Sequence, residues 1–416
     1  MYSVEKKLKH LKKYFHFQDH ELGEIKKMYA GRFFDPNDAA YRRLLRLSER
    51  LCKEFSELNG RMGKNPSTTK VIGTYLRKNK ILDMLFPGHG TLSGIGEHVS
   101  AVIGLVDFKG CGFANRAVTF SPYSLVECES YTIFATKIKV GADEPERRGN
   151  LIRLSKVHIG KNTWICAGVS IDGGISIGNG AVIGAGAAVG EDIPQNVVAI
   201  GRPAKPTKTI DRSCSLTKSE VPKADPDRTA RVLKRLRKLG YQRGLREYTK
   251  MLEGSYFNST DLRLGLMFIL THRLCSEFNA AGTTPARKAE ILDILFPDHG
   301  KNLTVGEDLF VDMLGMTEIG DNVTIGNSVY LSGPVTLESG ATVGDETLLF
   351  GTGHSLLAKE RKVGFSIRRG MYEFSQSKPI TVKENVTVGA HCVLVPGATV
   401  TENAPDDSLC IKDKIL

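Results

Sequence analysis

The chain reads as a mainly β protein made of two parallel β-helices, and three observations carry that expectation. Every sixth residue from Ile159 to Val189 is aliphatic (Ile159, Ile165, Ile171, Ile177, Ile183, Val189), with glycine following at 160, 178, 184 and 190. The register returns as Ile319, Ile325, Leu331, Leu337, Val343 and Leu349, and again as Val382, Val388, Leu394 and Val400. Outside the hexads the two halves repeat each other. Arg50-Leu-Cys-Lys-Glu-Phe matches Arg273-Leu-Cys-Ser-Glu-Phe, and Ile81-Leu-Asp-Met-Leu-Phe-Pro matches Ile291-Leu-Asp-Ile-Leu-Phe-Pro. A period of six is neither the 3.6 of a helix nor the 2.0 of an ordinary strand. It marks short strands stacked coil on coil, with one aliphatic side chain per hexapeptide pointing inward.

The elements follow in order. Residues 1–24 are a basic N-terminal segment with helical apolar spacing and without the apolar core of a signal peptide. Residues 25–92 form a first helical cap, on the spacing of YRRLLRLSERLCKEF, and residues 93–210 the first β-helix. Residues 211–250 are a basic linker and helix, with SEVPKADPD as the linker proper. Residues 251–302 make a second helical cap, on LRLGLMFILTHRLCSEF, and residues 303–416 the second β-helix. The flat, small-residue faces of such prisms bury themselves against copies, so an oligomer is expected.

With 416 residues the chain has room for two or three domains. No apolar stretch reaches the roughly 18–20 residues that span a bilayer. The eight cysteines are scattered without a CxxC pair, which fits reduced thiols in a cytoplasmic compartment rather than a disulfide or zinc framework. A net charge of +11 invites a nucleic-acid reading. Yet the basic residues cluster on two helical segments, KKLKHLKK and Arg228–Arg246, where a solvated helix face is the plain alternative. No helix-turn-helix, zinc finger or aromatic-basic strand motif accompanies them, and no nucleic-acid partner is expected.

Specific motifs then narrow the family. Met28-Tyr-Ala-Gly-Arg-Phe-Phe-Asp opens the first cap. Ile183-Gly-Ala-Gly-Ala-Ala-Val, Glu191-Asp-Ile-Pro-Gln-Asn-Val-Val-Ala and Ile200-Gly-Arg-Pro-Ala-Lys close the first prism. The second half carries Thr352-Gly-His354-Ser, then Arg369-Gly-Met-Tyr-Glu-Phe leading into Lys378-Pro-Ile-Thr-Val. On these motifs both halves, roughly 28–210 and 251–410, resemble the galactoside and maltose O-acetyltransferases of the hexapeptide-repeat family. The resemblance implies left-handed winding of both β-helices, an exception to the usual handedness rule. It also implies a homotrimer with sites between neighbouring prisms, and acetyl transfer from acetyl-CoA to a hydroxyl, commonly on a sugar or glycan, without a metal.

A hydroxyl needs a general base as it attacks a thioester, and neutral imidazole suits that role near pH 7. His354 is the candidate. It opens a break in the hexad register between Leu349 and Val382, and protruding loops are where reactive groups meet substrate. In the first half Phe134-Ala-Thr-Lys137-Ile aligns with this loop and puts a lysine, normally protonated, in the histidine's place. The coenzyme features show the reverse asymmetry. By resemblance, Trp164, Ala185, Gly201, Pro203, Ala204 and Lys205 lie beside coenzyme A, with Lys205 suited to a phosphate. Thr387 replaces the tryptophan in the second half, which also lacks the GxPAK motif and a final coil.

Asn327, in Ile325-Gly-Asn-Ser, approximates the family's catalytic supporting asparagine, and a coil-corner residue is the alternative. Asp35 stands near a family acidic position, with Asn258 at its place in the second half, although a helix cap explains Asp35 equally. Arg147-Arg148 and Arg368-Arg369 are suited to framing the loops, or are solvated surface. Gamma-class carbonic anhydrases share the fold but need a convergent histidine set, whereas the second prism offers His354 and His391. No Ser or Cys stands in a nucleophile elbow, so direct transfer is expected. The expectation from another class is a non-catalytic β-helix scaffold or regulatory binding protein derived from such an enzyme. It draws on the substituted first-half loop and the shortened second half.

Overall fold

The hexad aliphatics form interior columns. In the computed structural model Ile159, Ile165, Ile171, Ile177, Ile183 and Val189 are at most 1% exposed, as are Val382, Val388, Leu394 and Val400. Each such side chain contributes about 1.5–3 kcal/mol by leaving water. The structure describes residues 3–58, 68–87, 94–95, 99–108, 112–211, 226–238, 245–259, 261–297, 299–358, 361, 364–366, 370–372 and 374–415. They fall into two compact units, Met1–Ser213 and Cys214–Leu416.

In the second unit every coil visits three walls in turn, and all strands within a wall run parallel. Wall one stacks Thr304–Val305, Thr324–Ile325, Thr342–Val343 and Thr387–Val388. Wall two stacks Phe310–Val311, Tyr330–Ser332, Leu348–Phe350, Val393–Leu394 and Leu409–Ile411. Wall three stacks Thr317–Ile319, Val335–Leu337, Ile380–Val382 and Thr399–Val400. Corners need left-handed residues, and Asn322, Ser328, Glu346, Asn385 and His391 supply φ of 55–58°. Glycine after the inward aliphatic has a separate cause, close approach of the next coil: a Cβ on Gly178 would lie 2.3 Å from the Gln195 nitrogen.

The first unit follows the same plan with one variation. Gly112–Phe120 and Thr132–Val140 are nine-residue strands that bend from wall one to wall two, since Thr132–Val140 pairs with both Trp164–Ile165 and Ser170–Ile171. Its early coils are filled by Phe86, Phe108, Phe120 and Phe134, edge to face at 5.4–6.3 Å.

Among the described residues, four α-helices precede the wall strands of each unit. The first has α1 (Val4–Phe15), α2 (Gly23–Tyr29), α3 (Ala39–Glu57) and α4 (Thr68–Leu85). The second has α5 (Pro226–Lys238), α6 (Arg246–Leu252), α7 (Leu262–Phe278) and α8 (Pro285–Leu295). The two units also match in single contacts. Glu24 pairs with Lys27 and accepts from the Asp35 N–H; Glu247 pairs with Lys250 and accepts from the Asn258 N–H. Ser48 Oγ bridges the Leu44 carbonyl and the Ile103 N–H, and Thr271 Oγ1 bridges the Met267 carbonyl and the Leu314 N–H. Arg77 grips Glu54 as Arg287 grips Glu277.

These helices revise the expected boundaries. The basic N-terminal segment is not a separate piece, because α1 buries Lys7, Leu11 and Phe15 in the first unit. The expected linker likewise supplies α5 and α6 to the second unit, with Val232, Leu236, Tyr248 and Met251 buried. Most of SEVPKADPD lies outside the described residues. Among the described residues no helix is long and apolar enough to cross a membrane.

Candidate functional site

In the second unit the chain leaves wall two after Leu348–Phe350 and returns to wall three at Ile380–Val382. The excursion is anchored by a three-stranded sheet. Thr352–Gly353 pairs antiparallel with Phe374–Ser377, which pairs on its other edge with Tyr256–Asn258 of the helical layer. With Gly353 opposite Gln376, the next residue His354 comes to face Ser375, whose Oγ lies 3.3 Å from Nδ1. His354 keeps a partly exposed edge. Its ring is nonetheless packed deeply enough that burial, aided by the Arg361 charge, pushes the imidazole pKa down to about 4. The ring is therefore neutral at pH 7 and can accept a proton. Arg361 is 1% exposed and donates to the Ser355 carbonyl at 2.6 Å and to that of Leu356. Arg368 and Arg369 lie outside the described residues.

The first unit has the same excursion with other chemistry. Phe34 bridges Ile152 as Phe257 pairs with Ser375, so an apolar, 2% exposed side chain holds the serine's place. Lys137 does not hold the histidine's place. It sits at the bend from wall one to wall two with φ 52°, the position of Glu346 with φ 55°. The stretch that follows wall two is instead Gly141–Pro145, running into the hairpin of Glu146–Arg148 with Leu151–Arg153. The alignment slipped because Thr132–Val140 runs unbroken through its corner. No histidine occurs in residues 141–154. Arg147 and Arg148 are exposed on that hairpin.

Asn327 belongs to the second unit, as His354 does. It occupies a corner between walls one and two, whereas His354 departs after wall two. Its Oδ1 accepts from the Glu307 N–H at 2.9 Å, while its own N–H and Nδ2 donate to Asp345 at 2.7 and 3.1 Å. These bonds tie neighbouring coils, the coil-corner role. Sequence reasoning missed Ser375 and Arg361, and also a buried group on wall two. There Tyr330 donates to Asp312 at 2.7 Å and His272 Nε2 stands 3.5 Å from the same carboxylate.

The coenzyme candidates lie together in the first unit. Trp164 is half-buried on a ladder that runs through Val182 to Val198. Val197–Ile200 turns back through Gly201 (φ 98°) into Lys205–Thr209. Ala185 and Ala204 are buried and Pro203 is exposed. The Ala204 N–H donates to the Ala188 carbonyl at 2.7 Å, fixing the hairpin on the penultimate coil. Lys205 Nζ is 2.6 Å from Glu191, both exposed, so its charge is already partnered. Thr387 holds the tryptophan's place, two residues after left-handed Asn385 as Trp164 follows Asn162. The second unit also ends in a hairpin, Leu409–Ile411 with Lys414–Ile415. It gets there sooner, with five strands after its excursion against seven in the first.

For metals, Glu127, Glu129 and His158 of the first unit bring ligand atoms within 4.8 Å of one another among the described residues. This pairs two carboxylates with one histidine and is not a convergent histidine set. His391 is a corner residue, 3.6 Å from Asp407.

Residues 156–191 match the family model "Bacterial transferase hexapeptide (six repeats)", and residues 317–345 match "Hexapeptide repeat of succinyl-transferase". A galactoside O-acetyltransferase of Escherichia coli (strain K12) is 47% identical over 140 residues. The chain resembles the hexapeptide-repeat O-acetyltransferases. The match takes in 32% of this chain and 62% of that relative, so the chain spans less than two thirds of its length. Among solved structures, a maltose O-acetyltransferase from Clostridium difficile 630 is 26% identical with a TM-score of 0.39, covering 45% of this chain and 98% of its own. A hexapeptide-repeat acetyltransferase from Vibrio cholerae O1 biovar eltor, complexed with acetyl coenzyme A, is 19% identical with a TM-score of 0.39, covering 45% and 99%.

Proposed function

We propose that the chain is an O-acetyltransferase that moves the acetyl group of acetyl-CoA to a sugar or glycan hydroxyl, with His354 as general base. The observation that carries this is the neutral imidazole of His354, packed except for a partly exposed edge, held at the head of a strand-anchored excursion and faced by Ser375. The acceptor hydroxyl attacks the thioester carbonyl and passes its proton to Nε2 of His354. The new C–O bond forms, the C–S bond breaks, and the proton leaves with the coenzyme thiol. Ser375 fixes the ring through Nδ1, the nitrogen that does not take the proton.

In this reading the two halves are left-handed β-helices with helical caps, three cytoplasmic chains assemble through their flat walls, and the reaction needs no metal. The first unit is non-catalytic, a reading supported by Ile152 at the serine's place and by the loop without histidine. Its Trp164 and the Gly201–Lys205 hairpin are offered to coenzyme A. The test is release of free thiol from acetyl-CoA across a panel of sugars. Acceptor-dependent release by the intact chain is expected, and no release with any acceptor would leave the scaffold reading in its place.

A further inference from the structure

Arg361 is among the largest fully buried side chains, yet it carries a permanent charge. Removing a guanidinium from water costs several kcal/mol unless hydrogen bonds replace the lost hydration. Here the replacement is specific: Nη1 donates to the carbonyls of Ser355 and Leu356, the two residues directly after His354. Ser355 Oγ in turn accepts from the Leu357 N–H at 3.1 Å, which tightens the same turn. The backbone leaving His354 is thus held from below by a buried cation, while Ser375 holds the ring from the opposite strand at 3.3 Å.

We infer that Arg361 is the positioning residue of the base: it fixes the backbone immediately after His354 and keeps a buried positive charge beside the imidazole. The inference rests on the assignment of His354 as base. Two physical effects follow. A cation beside the ring opposes a second positive charge, which adds to burial in holding His354 neutral. Two adjacent carbonyls on one guanidinium also hold the direction of the chain, where a displacement of about 1 Å can cost 10²-fold in rate. Ser375, which faces the ring from the neighbouring strand, is uncharged, and the described charge acting on His354 is that of Arg361. Lysine would keep the charge on a shorter side chain, with a tetrahedral ammonium in place of the Nη1 that reaches both carbonyls.

The experiment uses the full chain with Arg361→Gln and Arg361→Lys, followed by histidine NMR titration, kcat/KM against pH, and thermal unfolding. His354→Gln assigns the resonance. Arg361→Gln is expected to raise the His354 titration midpoint, to move the acid limb of kcat/KM up with it, and to lower kcat by about 10- to 100-fold. Arg361→Lys is expected to lower kcat while shifting the midpoint less. A folded Arg361→Gln chain with an unmoved midpoint overturns the inference. If that variant does not fold, Arg361→Lys decides: wild-type kcat there overturns the positioning role. The titration reads the ring without turnover. Failure of His354 as base, seen as undiminished activity in His354→Gln, is thereby distinguished from failure of Arg361 to act on it.

Discussion

Ser375 holds its hydroxyl 3.3 Å from Nδ1 of His354, across the pairing of Thr352–Gly353 with Phe374–Ser377. Its counterpart Ile152 bridges Phe34 in the first unit as Ser375 pairs with Phe257 in the second. The same antiparallel pairing therefore presents a hydroxyl in one unit and a hydrocarbon in the other.

Ser375→Ala should lower kcat by about tenfold with little change in KM, since a hydrogen bond worth about 1–1.5 kcal/mol corresponds to that factor in rate. Ser375→Ile, which copies the first unit, should lower it at least as far. Steady-state kinetics on both variants, with circular dichroism to confirm folding, makes the check; full activity in Ser375→Ile would remove the serine from the account.

The pH profile follows from the lowered pKa of His354. Burial first and Arg361 second push it from 6.5 to about 4, and the base works when neutral. Activity per enzyme, as kcat/KM, should hold its plateau below pH 6.5 and fall only as pH drops toward about 4. The same shift affects folding. Between about 4 and 6.5 the unfolded chain binds the proton that the folded ring refuses, so stability declines as pH falls through that window. An acid limb centred at an ordinary histidine pKa would contradict this.

The hexads made most of the architecture readable from sequence. An inward aliphatic at every sixth position is enforced by the interior, and each named position from Ile159 onward is buried. Earlier coils of the first unit were hidden because Phe108, Phe120 and Phe134 fill their interior and nine-residue strands run through the corners. Lys137 was misplaced for that reason: its left-handed φ marks a corner inside a strand, where sequence suggested a loop. His354 was readable because a histidine in a register break is conspicuous. Ser375 and Arg361 were not, since antiparallel pairing brings 375 to 354 and a buried arginine looks like any surface one. The basic character of α1 likewise concealed that Lys7 faces inward.

That lysine gives a stability prediction. Lys7 Nζ lies 3.1 Å from Asp107, both nearly inaccessible, and burial lowers the Lys7 pKa. Lys7→Met strands a buried carboxylate and should cost about 3–5 kcal/mol. The corresponding α5 contact, Arg231 with Glu318 at 3.8 Å, is largely exposed, and Arg231→Ala should cost no more than about 1 kcal/mol. Denaturant unfolding of the two variants should separate them clearly.

Coenzyme affinity should depend on the first unit. Trp164→Ala is expected to weaken acetyl-CoA binding about tenfold, the scale of a lost aromatic contact with its buried area. Lys205→Ala should do less, because Glu191 already neutralises that lysine. Calorimetric titration with acetyl-CoA provides the comparison, and unchanged affinity in Trp164→Ala would move the coenzyme site elsewhere.

The most direct measurement is acetyl-CoA turnover by the intact chain and by His354→Ala, with an acceptor that supports thiol release. General-base catalysis is worth about 10²–10⁴-fold, and His354→Ala should lose that much while keeping its fold and its affinity for acetyl-CoA. Wild-type turnover in His354→Ala would contradict the assignment and leave the second unit without its base.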